Sequence, residues 1–445
     1  EIAILMMGIF LFAVLLGFPI AFTLMAMGLG FGYYAYFDPT KMEHLLDNRI
    51  FQLFVQNTYT VMDNNVLTAV PLFLFMGYLV ERAGIVAKLF FAIRLASHKL
   101  PASMAVAALI TCTLFSTATG IIGAVVTLMG LLAWPAMVKA GYDKKFASGI
   151  ICAGGCLGIL IPPSIMLIVY SVIAQLSPLR LFAAAIFPGL MLAGLYIGYA
   201  VFRAWLNPSI APKPAAEEIP PTAVIMKEVI VSFLPLFSLI ILVLGTILAG
   251  IATPAEAAAV GAFGALVLSY FYKTLKWKNF KESVFLTAKT TAMIMWLFIG
   301  SWTFASVFSY LGGHEVFEHF FKSLNLQPWQ FLVITQIIIF LLGWPLEWTE
   351  ILIIFVPIFL PLVEFFGVNP YFFAMLIALN LQTSFLTPPM AMSAYYLKGV
   401  QSKNVELMEI FRGIMPFLAI VIFAMVLMYW FPGIALWLPE TLFAN

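Results

Sequence analysis

The sequence is poor in charged residues, and this shortage limits what the protein can be. Only 9% of the 445 residues are charged, against roughly 25% in soluble globular domains. Apolar runs of about 20 residues recur from end to end, and no polar stretch between them is long enough for a soluble domain. The net charge of +2 therefore does not indicate nucleic-acid binding. The composition predicts an all-α polytopic membrane protein.

Cysteine and several enzyme motifs are also scarce or missing. The three cysteines, Cys112, Cys152 and Cys156, lie in apolar runs without His or acidic partners, which excludes a disulfide framework and disfavours a metal site. The sequence has no P-loop, dinucleotide-binding glycine motif, HExxH or nucleophile elbow. We therefore predict a protein that is not an enzyme and does not hydrolyse ATP. Any uphill transport would draw on an ion gradient.

The sequence does contain one long repeat, in which residues 139–174 recur in altered form 226 positions later. A Pro-Pro pair in an apolar run removes two backbone donors and clashes with the preceding turn, so each copy predicts a broken helix. The carbonyl groups freed by each break need partners inside the membrane. The shift superposes residues that shape the backbone: Pro135 on Pro361, Gly141 on Gly367, Asp143 on Asn369, Pro162-Pro163 on Pro388-Pro389, and Tyr170 on Tyr396.

The distribution of basic residues predicts that the two copies face opposite sides of the membrane. Lys99 precedes the apolar stretch 101–139, and Lys144 follows it, so both flanks are expected in the cytoplasm. Because the middle of this stretch, residues 116–120, forms helix poorly, we predict a re-entrant hairpin. The corresponding stretch 329–366 has few basic residues on either flank, which predicts a second hairpin that enters from outside.

These signals divide the chain into two inverted-topology repeats, each with a re-entrant helical hairpin and a broken transmembrane helix. A Pro-rich linker of mixed charge, expected in the cytoplasm, separates them, and the C-terminus is expected in the periplasm. Whether residues 2–36 cross once or twice stays open. The predicted units are repeat one at 1–206 (hairpin about 101–139, broken helix about 147–175), the linker at 207–228, and repeat two at 229–445 (hairpin about 329–366, broken helix about 370–398).

Inverted halves of this kind are typical of secondary transporters, which bind ions and substrates at the ends of half-helices. Unwound carbonyls attract a cation, and helix N-termini attract an anionic group. For each Ser and Thr, the alternative is that its hydroxyl bonds to its own helix. The predicted substrate-binding residues lie at the tips and breaks: Ser116, Thr117, Thr119, Pro162, Pro163, Ser164, Pro388 and Pro389.

The second half has the more distinctive polar chemistry. Five polar side chains occur within eight residues of an otherwise apolar helix, which packing against lipid does not explain. At the facing tip, Glu347 and Glu350 are carboxyl groups in apolar surroundings, a pattern that indicates a functional site. They would bind a cation or carry protons; alternatively, the tip reaches water and both are solvated. The five polar residues are Asn380, Gln382, Thr383, Ser384 and Thr387.

Five segments carry a resemblance to a known family: residues 71–85, 141–172 (with GILIPPS), 181–190, 253–262 (TPAEAAAVGA) and 386–400. Through them, nearly the whole chain resembles the large membrane subunit, of DctM type, of tripartite ATP-independent periplasmic (TRAP) transporters. The resemblance implies a sodium-coupled importer of organic acid anions in the bacterial inner membrane. It also implies an elevator-type mechanism, in which a transport domain containing both hairpins and both broken helices slides against a scaffold.

The resemblance further implies two partners, a small four-helix membrane subunit and a periplasmic substrate-binding protein. The hairpin tips read FSTATG and PLEWTE, where family members commonly have a Gly-Ser-rich first tip and an Asp in the second. Carrying the family's sodium sites onto matching positions gives the predicted Na⁺ ligands: Ser116, Gly155, Gly158, Glu347, Thr349, Thr383 and Thr387.

Three functions stay open at this point. The leading one is a binding-protein-dependent symporter of Na⁺ and an organic anion. A stand-alone Na⁺- or H⁺-coupled dicarboxylate symporter would need no partner, and a channel or membrane scaffold would not accumulate substrate. The sequence does not specify the substrate, because Arg180 and Arg203 lie near membrane ends and no intramembrane arginine is placed to clamp a carboxylate.

Overall fold

The computed structural model describes residues 1–40, 42–213, 221–401 and 405–443, and these form an all-helical protein. Within these ranges seven helices are long and apolar enough to cross a membrane, or eight if one bent pair counts as a single span. The prediction of an all-α polytopic membrane protein is confirmed.

The chain begins with helices that lie before the first predicted hairpin. The first two have 14 and 16 residues, and at about 1.5 Å per residue neither alone crosses roughly 30 Å of hydrocarbon. The fourth and fifth are bent by 63° across Gly84, whose φ of +68° favours glycine. The helices are α1 (Ile2–Leu15), α2 (Ile20–Ala35), α3 (Arg49–Met62), α4 (Ala69–Arg82) and α5 (Ile85–Ala96).

The next helices form a tight hairpin followed by an interrupted helix. At the hairpin tip, Gly120 has φ +62° and its amide donates to the Ser116 carbonyl at 2.8 Å, which ends the first arm. A 3₁₀ turn at Leu157–Ile159 and the Pro-Pro pair then separate the two parts of the interrupted helix. The elements are α6 (Ser103–Thr119), α7 (Ile122–Lys139), α8 (Lys144–Cys156), α9 (Ile165–Ala174) and α10 (Pro178–Leu206).

The predicted linker is shorter in the structure than the sequence suggested. Helix α11 (Thr222–Leu248) begins after Pro221, so residues 222–228 are helical rather than linker. No proline follows Pro221 in this stretch, and the helix of the apolar span extends back to it. Residues 214–220 of the predicted linker lie outside the described residues.

The second half contains a further interrupted helix, formed by α18 and α19. Helix α18 begins 226 positions after α8, and α19 begins 227 positions after α9. A π-helical turn at Ile351–Phe355 joins α16 to α17, and a final helix that the sequence analysis did not predict follows α20. The elements are α12 (Pro254–Phe271), α13 (Trp277–Tyr310), α14 (Gly313–Ser323), α15 (Pro328–Leu342), α16 (Trp348–Glu350), α17 (Val356–Phe365), α18 (Pro370–Ser384), α19 (Met392–Val400), α20 (Leu407–Trp430) and α21 (Gly433–Leu442).

The helices pack in two groups, and contacts of α6 with α4, α5 and α11 join these groups. The 34-residue α13 packs against α2, α3 and α4, while α12 packs against α4 and α11. In the second group, α8 packs against α6, α7 and α20, and α18 against α15 and α20. Small residues permit the closest contact: a Cβ added to Gly149 would lie 2.2 Å from the Gly413 carbonyl oxygen. Helices α8 and α20 therefore touch backbone to backbone, as close packing between membrane helices requires.

Candidate substrate and cation site

The tip of the first hairpin meets the first helix break. Ser116 is fully buried, and its Oγ has no hydrogen-bond partner among the described residues. A Cβ added to Gly158 would lie 3.3 Å from that oxygen, so the two predicted ligands are neighbours. At Gly155 an added Cβ would lie 2.3 Å from Val126 Cγ2, so only glycine lets α7 approach the break this closely.

The other predicted hydroxyls of the first half already have partners. Thr117 Oγ1 donates to the Thr113 carbonyl at 2.7 Å, and Thr119 Oγ1 donates to the Phe115 carbonyl at 3.1 Å. Ser164 Oγ caps α9 and donates to the Ile159 carbonyl at 2.5 Å, which satisfies one carbonyl freed by the break. The peptide bonds of Pro162-Pro163 and Pro388-Pro389 are both cis.

Several buried oxygen atoms lack partners at the second tip. Within the described ranges, Thr349 Oγ1, Glu350 Oε2 and Ser384 Oγ make no hydrogen bond, although Thr349 and Glu350 are only 2% and 5% exposed. A Cβ added to Gly343 would lie 2.2 Å from Ser384 Oγ, so this hydroxyl packs directly on the tip. Because an unpaired buried polar atom costs about 1–3 kcal/mol, such a cluster favours a bound ion or water.

An amide network holds the second broken helix to its hairpin. Asn380 Nδ2 donates to the Gln336 carbonyl at 2.7 Å and to its Oε1 at 2.9 Å. Thr383 Oγ1 donates to the Asn380 carbonyl at 2.6 Å, and Thr387 Oγ1 to the Thr383 carbonyl at 2.8 Å. The sequence analysis missed Gln336, although a glutamine in an apolar arm was a readable signal. By contrast, both polar atoms of the buried Gln382 lack a partner in the described chain.

A cavity of about 330 Å³ lies where both tips and both breaks converge. The first residues of three helices line it: Ile122 of α7, Ile165 of α9 and Met392 of α19. Amide groups in the first turn of a helix have no intrahelical partner, and the helix dipole is positive there. Glu347 and Thr349 also line this cavity. Its walls thus combine groups that favour an anion with groups that favour a cation.

The structure places the predicted substrate-binding residues beside this cavity rather than on its surface. Of the lining residues in the first half, Gly120–Gly123 and Ile165 directly follow Thr119 and Ser164 in the chain. In the second half, Phe385 and Met392 flank the second Pro-Pro pair. The sequence analysis missed the wall formed by α4 and α13, because neither helix is broken there. Tyr396 also lines the cavity, and its position in the repeat, opposite Tyr170, was the available signal.

The unpartnered atoms suit a hard cation. No group of three or more His, Cys, Asp or Glu side chains converges in the described part of the chain. The available ligands are hydroxyl, carboxyl and carbonyl oxygens, the kind that hard cations prefer. Glycines at 155 and 158 let the backbone of the break approach α7 and Ser116 closely. The residues present therefore fit an ion such as Na⁺.

Comparison with known proteins identifies the family. A family model described as "Tripartite ATP-independent periplasmic transporter, DctM component" matches residues 7–434. The chain belongs to this family. As a DctM component with seven candidate spans, it is a multi-pass protein of the bacterial inner membrane.

Individual relatives of this DctM component are also transporter permeases. It is 30% identical over 380 residues to the C4-dicarboxylate TRAP transporter large permease protein DctM of Pseudomonas aeruginosa, covering 84% of this chain and 86% of the relative. It is 30% identical over 384 residues to the sialic acid TRAP transporter large permease protein SiaM of Vibrio cholerae, covering 85% and 87%.

The fold has a counterpart among solved structures. The crystal structure of the Alcanivorax borkumensis YdaH transporter aligns with a TM-score of 0.61 over 97% of this chain and 98% of that one. Sequence identity between the two chains is 15%, so the similarity shows a shared fold and nothing more.

Proposed function

We propose that this DctM component is the permease of a sodium-coupled, binding-protein-dependent importer of organic acid anions. The observation that carries the proposal is the cavity in which three helix N-termini meet beside buried oxygen atoms without partners. The N-termini suit a carboxylate, and the oxygen atoms suit its coupling cation. The Pseudomonas and Vibrio relatives are named for C4-dicarboxylates and sialic acid, and both substrates are carboxylates.

Two cation sites flank the substrate in this proposal. In the first, Ser116 Oγ acts with the backbone carbonyls of Gly155 and Gly158. In the second, Glu347 and Thr349 act with the hydroxyl oxygens of Thr383 and Thr387. These last two hydroxyls donate their protons to carbonyl groups of α18, which leaves lone pairs that can face a cation. Each site joins a hairpin tip to a helix break, so cation binding would fix the shape of the cavity between them.

The two packing groups suggest an elevator mechanism. One wall of the cavity comes from α4 and α13, through Leu74, Tyr78 and Met293, and the rest comes from the hairpins and broken helices. Sliding the second group past the first would carry the filled cavity across the membrane. A Cβ added to Gly77 would lie 2.7 Å from the Thr119 carbonyl oxygen. Because Gly77 has no side chain, nothing projects from α4 at the contact along which the first tip would slide.

The proposal includes two partners and a topology. A periplasmic substrate-binding protein would deliver the anion, and a small four-helix membrane subunit would complete the tripartite system. Arg180 Nη2 donates to the Phe443 carbonyl at 3.2 Å, so the start of α10 and the end of α21 lie on one side. Because basic residues concentrate on the other side, we place the C-terminus in the periplasm.

Reconstitution tests this function. The DctM component, the small subunit and the binding protein encoded beside it are placed in and around proteoliposomes with an inward Na⁺ gradient. We expect the acid that the binding protein carries to accumulate against its gradient only when Na⁺ and all three proteins are present. Import by the DctM component alone would contradict the dependence on partners. Accumulation that ignores the Na⁺ gradient would contradict sodium coupling.

A second candidate is proton coupling, and Glu350 is the observation that favours it. This carboxyl group is 5% exposed, and its Oε2 has no hydrogen-bond partner in the described chain. The same proteoliposomes, in Na⁺-free buffer with a pH gradient, separate the two candidates. Proton coupling predicts accumulation that Glu350→Gln abolishes, whereas sodium coupling predicts none.

A further inference from the structure

We infer that the substrate of this permease carries a single carboxylate on a neutral, largely apolar body, rather than two carboxylates. The inference rests on the proposed function of the cavity between the two tips. It follows from the different chemistry of the two walls of that cavity.

One wall is built to receive an anion. Helices α7, α9 and α19, of 18, 10 and 9 residues, all begin at this wall, so the positive ends of their dipoles face the cavity region. Some of their first-turn amides already donate, those of Leu167 to Ser164 Oγ and of Ser393 to the Phe385 carbonyl. Independently of these helix ends, Thr349 lines the same cavity, is 2% exposed, and has no hydrogen-bond partner among the described residues. Its hydroxyl is available to donate to a ligand oxygen. Three converging helix N-termini and this hydroxyl suit one carboxylate.

The other wall is neutral. It comes from α4 and α13 and consists of Leu74, Tyr78, Thr290, Met293 and Ile294. The Tyr78 hydroxyl and Thr290 Oγ1 lie 3.1 Å apart and bond to each other, so this polar pair is already satisfied. A second carboxylate would meet apolar side chains here. Burying an ionised group without a partner costs several kcal/mol, so this wall selects against it.

The remaining lining supplies no positive charge. Among the described residues that line the cavity, none is Lys, Arg or His, and the one carboxyl side chain is Glu347. Tight recognition of a dicarboxylate usually needs a cation at each end, most often an arginine. Here the apolar side chains of Ile159 and Phe385 line the cavity instead. The volume of about 330 Å³ suits a small acid.

A matched pair of acids tests the inference. Succinate carries two carboxylates, and 4-oxopentanoate has the same chain with a methyl ketone in place of one of them. Binding of each is measured by titration calorimetry with the purified permease and its small subunit in nanodiscs, in Na⁺ buffer. We expect 4-oxopentanoate to bind at least about tenfold more tightly, because only succinate must bury a charge against the neutral wall.

A charge placed on the neutral wall sharpens the test. Met293 is 49% exposed, so Met293→Lys can be accommodated, and Met408→Lys, at a 57% exposed position that does not line the cavity, is the matched charge control. We expect Met293→Lys to tighten succinate binding about tenfold and Met408→Lys to leave it unchanged. If the wild-type protein binds succinate as tightly as 4-oxopentanoate, the inference is wrong and the proposed function stands.

Two further outcomes separate the inference from the function on which it rests. A reconstituted complex that accumulates its acid, while the permease binds neither probe, overturns the inference alone. A complex that accumulates no acid under a Na⁺ gradient overturns the proposed function, and the inference falls with it.

Discussion

The two halves of the protein share a backbone plan but differ in side-chain chemistry. Each half has a hairpin tip that meets a helix broken at a Pro-Pro pair. In the first half, Thr117 and Thr119 bond within their own helix, and Ser116 has the unpartnered hydroxyl. In the second half, the tip contains two carboxyl groups, and within the described residues Thr349, Glu350 and Ser384 each have a buried oxygen atom without a hydrogen-bond partner. The repeated prolines and glycines set the geometry, while the polar residues give each half its own set of oxygen atoms for the proposed cation sites.

This difference predicts that the two halves respond to different changes. A site built on backbone carbonyls depends on close approach, which Gly155 and Gly158 permit. A site built on side chains depends on charge and hydroxyl groups, which Glu347 and Thr349 supply. The first half should therefore tolerate the loss of a polar group better than the second.

The largest expected effect comes from removing the charge at the second tip. We expect Glu347→Gln to weaken the apparent Na⁺ affinity of uptake by about 10- to 100-fold, because a hydrogen bond or contact to a charged group contributes roughly 1.5–3 kcal/mol. Uptake rates measured across a range of Na⁺ concentrations give this affinity. Glu364→Gln is the control, since this exposed acid lies in α17 of the same hairpin. If uptake by Glu347→Gln depended on Na⁺ concentration as the wild type does, the second cation site would not use the Glu347 carboxyl group.

The sequence predicted the features that local chemistry determines. Pro-Pro pairs, Gly120 and the repeat were enough to predict helix breaks and tips, because proline and glycine act on the adjacent backbone. The wall formed by α4 and α13 was not predictable in this way. Its Tyr78–Thr290 pair joins residues 212 positions apart, so it depends on how whole helices pack. For the same reason, the sequence could not tell that Ser116 Oγ would have no hydrogen-bond partner among the described residues while Thr117 Oγ1 had one.

A smaller effect is expected at the first tip. We expect Ser116→Ala to weaken the apparent Na⁺ affinity about 2- to 10-fold, since a neutral hydrogen-bonding group contributes about 0.5–1.5 kcal/mol. In Na⁺-free buffer its thermal stability should not fall, because the hydroxyl has no partner in the described chain to lose. Thr117→Val, which removes an internally bonded hydroxyl, is the control and should leave Na⁺ dependence unchanged. Wild-type Na⁺ affinity in Ser116→Ala would mean that backbone carbonyls alone form the first site.

The smallest effect is expected where the two halves are most alike, at the caps of the broken helices. Asp143 Oδ1 accepts a hydrogen bond from the Phe146 amide at 2.9 Å, and Asn369 Oδ1 accepts one from the Tyr371 amide at 2.9 Å. Asn and Asp cap helices about equally well, and a helix N-terminus favours the charged residue by about 0.3–1 kcal/mol. We therefore expect Asp143→Asn to lower thermal stability slightly and Asn369→Asp to raise it slightly, without changing uptake.

Asp143→Ala and Asn369→Ala give a reference for the size of these changes. Each removes the capping oxygen and should lower the free energy of unfolding by about 0.5–2 kcal/mol. Thermal unfolding of all four variants in the same detergent measures both effects. If the caps are structural, the two Asp and Asn exchanges shift stability in opposite directions and the two Ala variants lower it alike. An exchange that changes Na⁺-driven uptake while stability stays constant would contradict this view. It would place a functional difference between the halves at the cap itself, a full helix away from the Pro-Pro breaks.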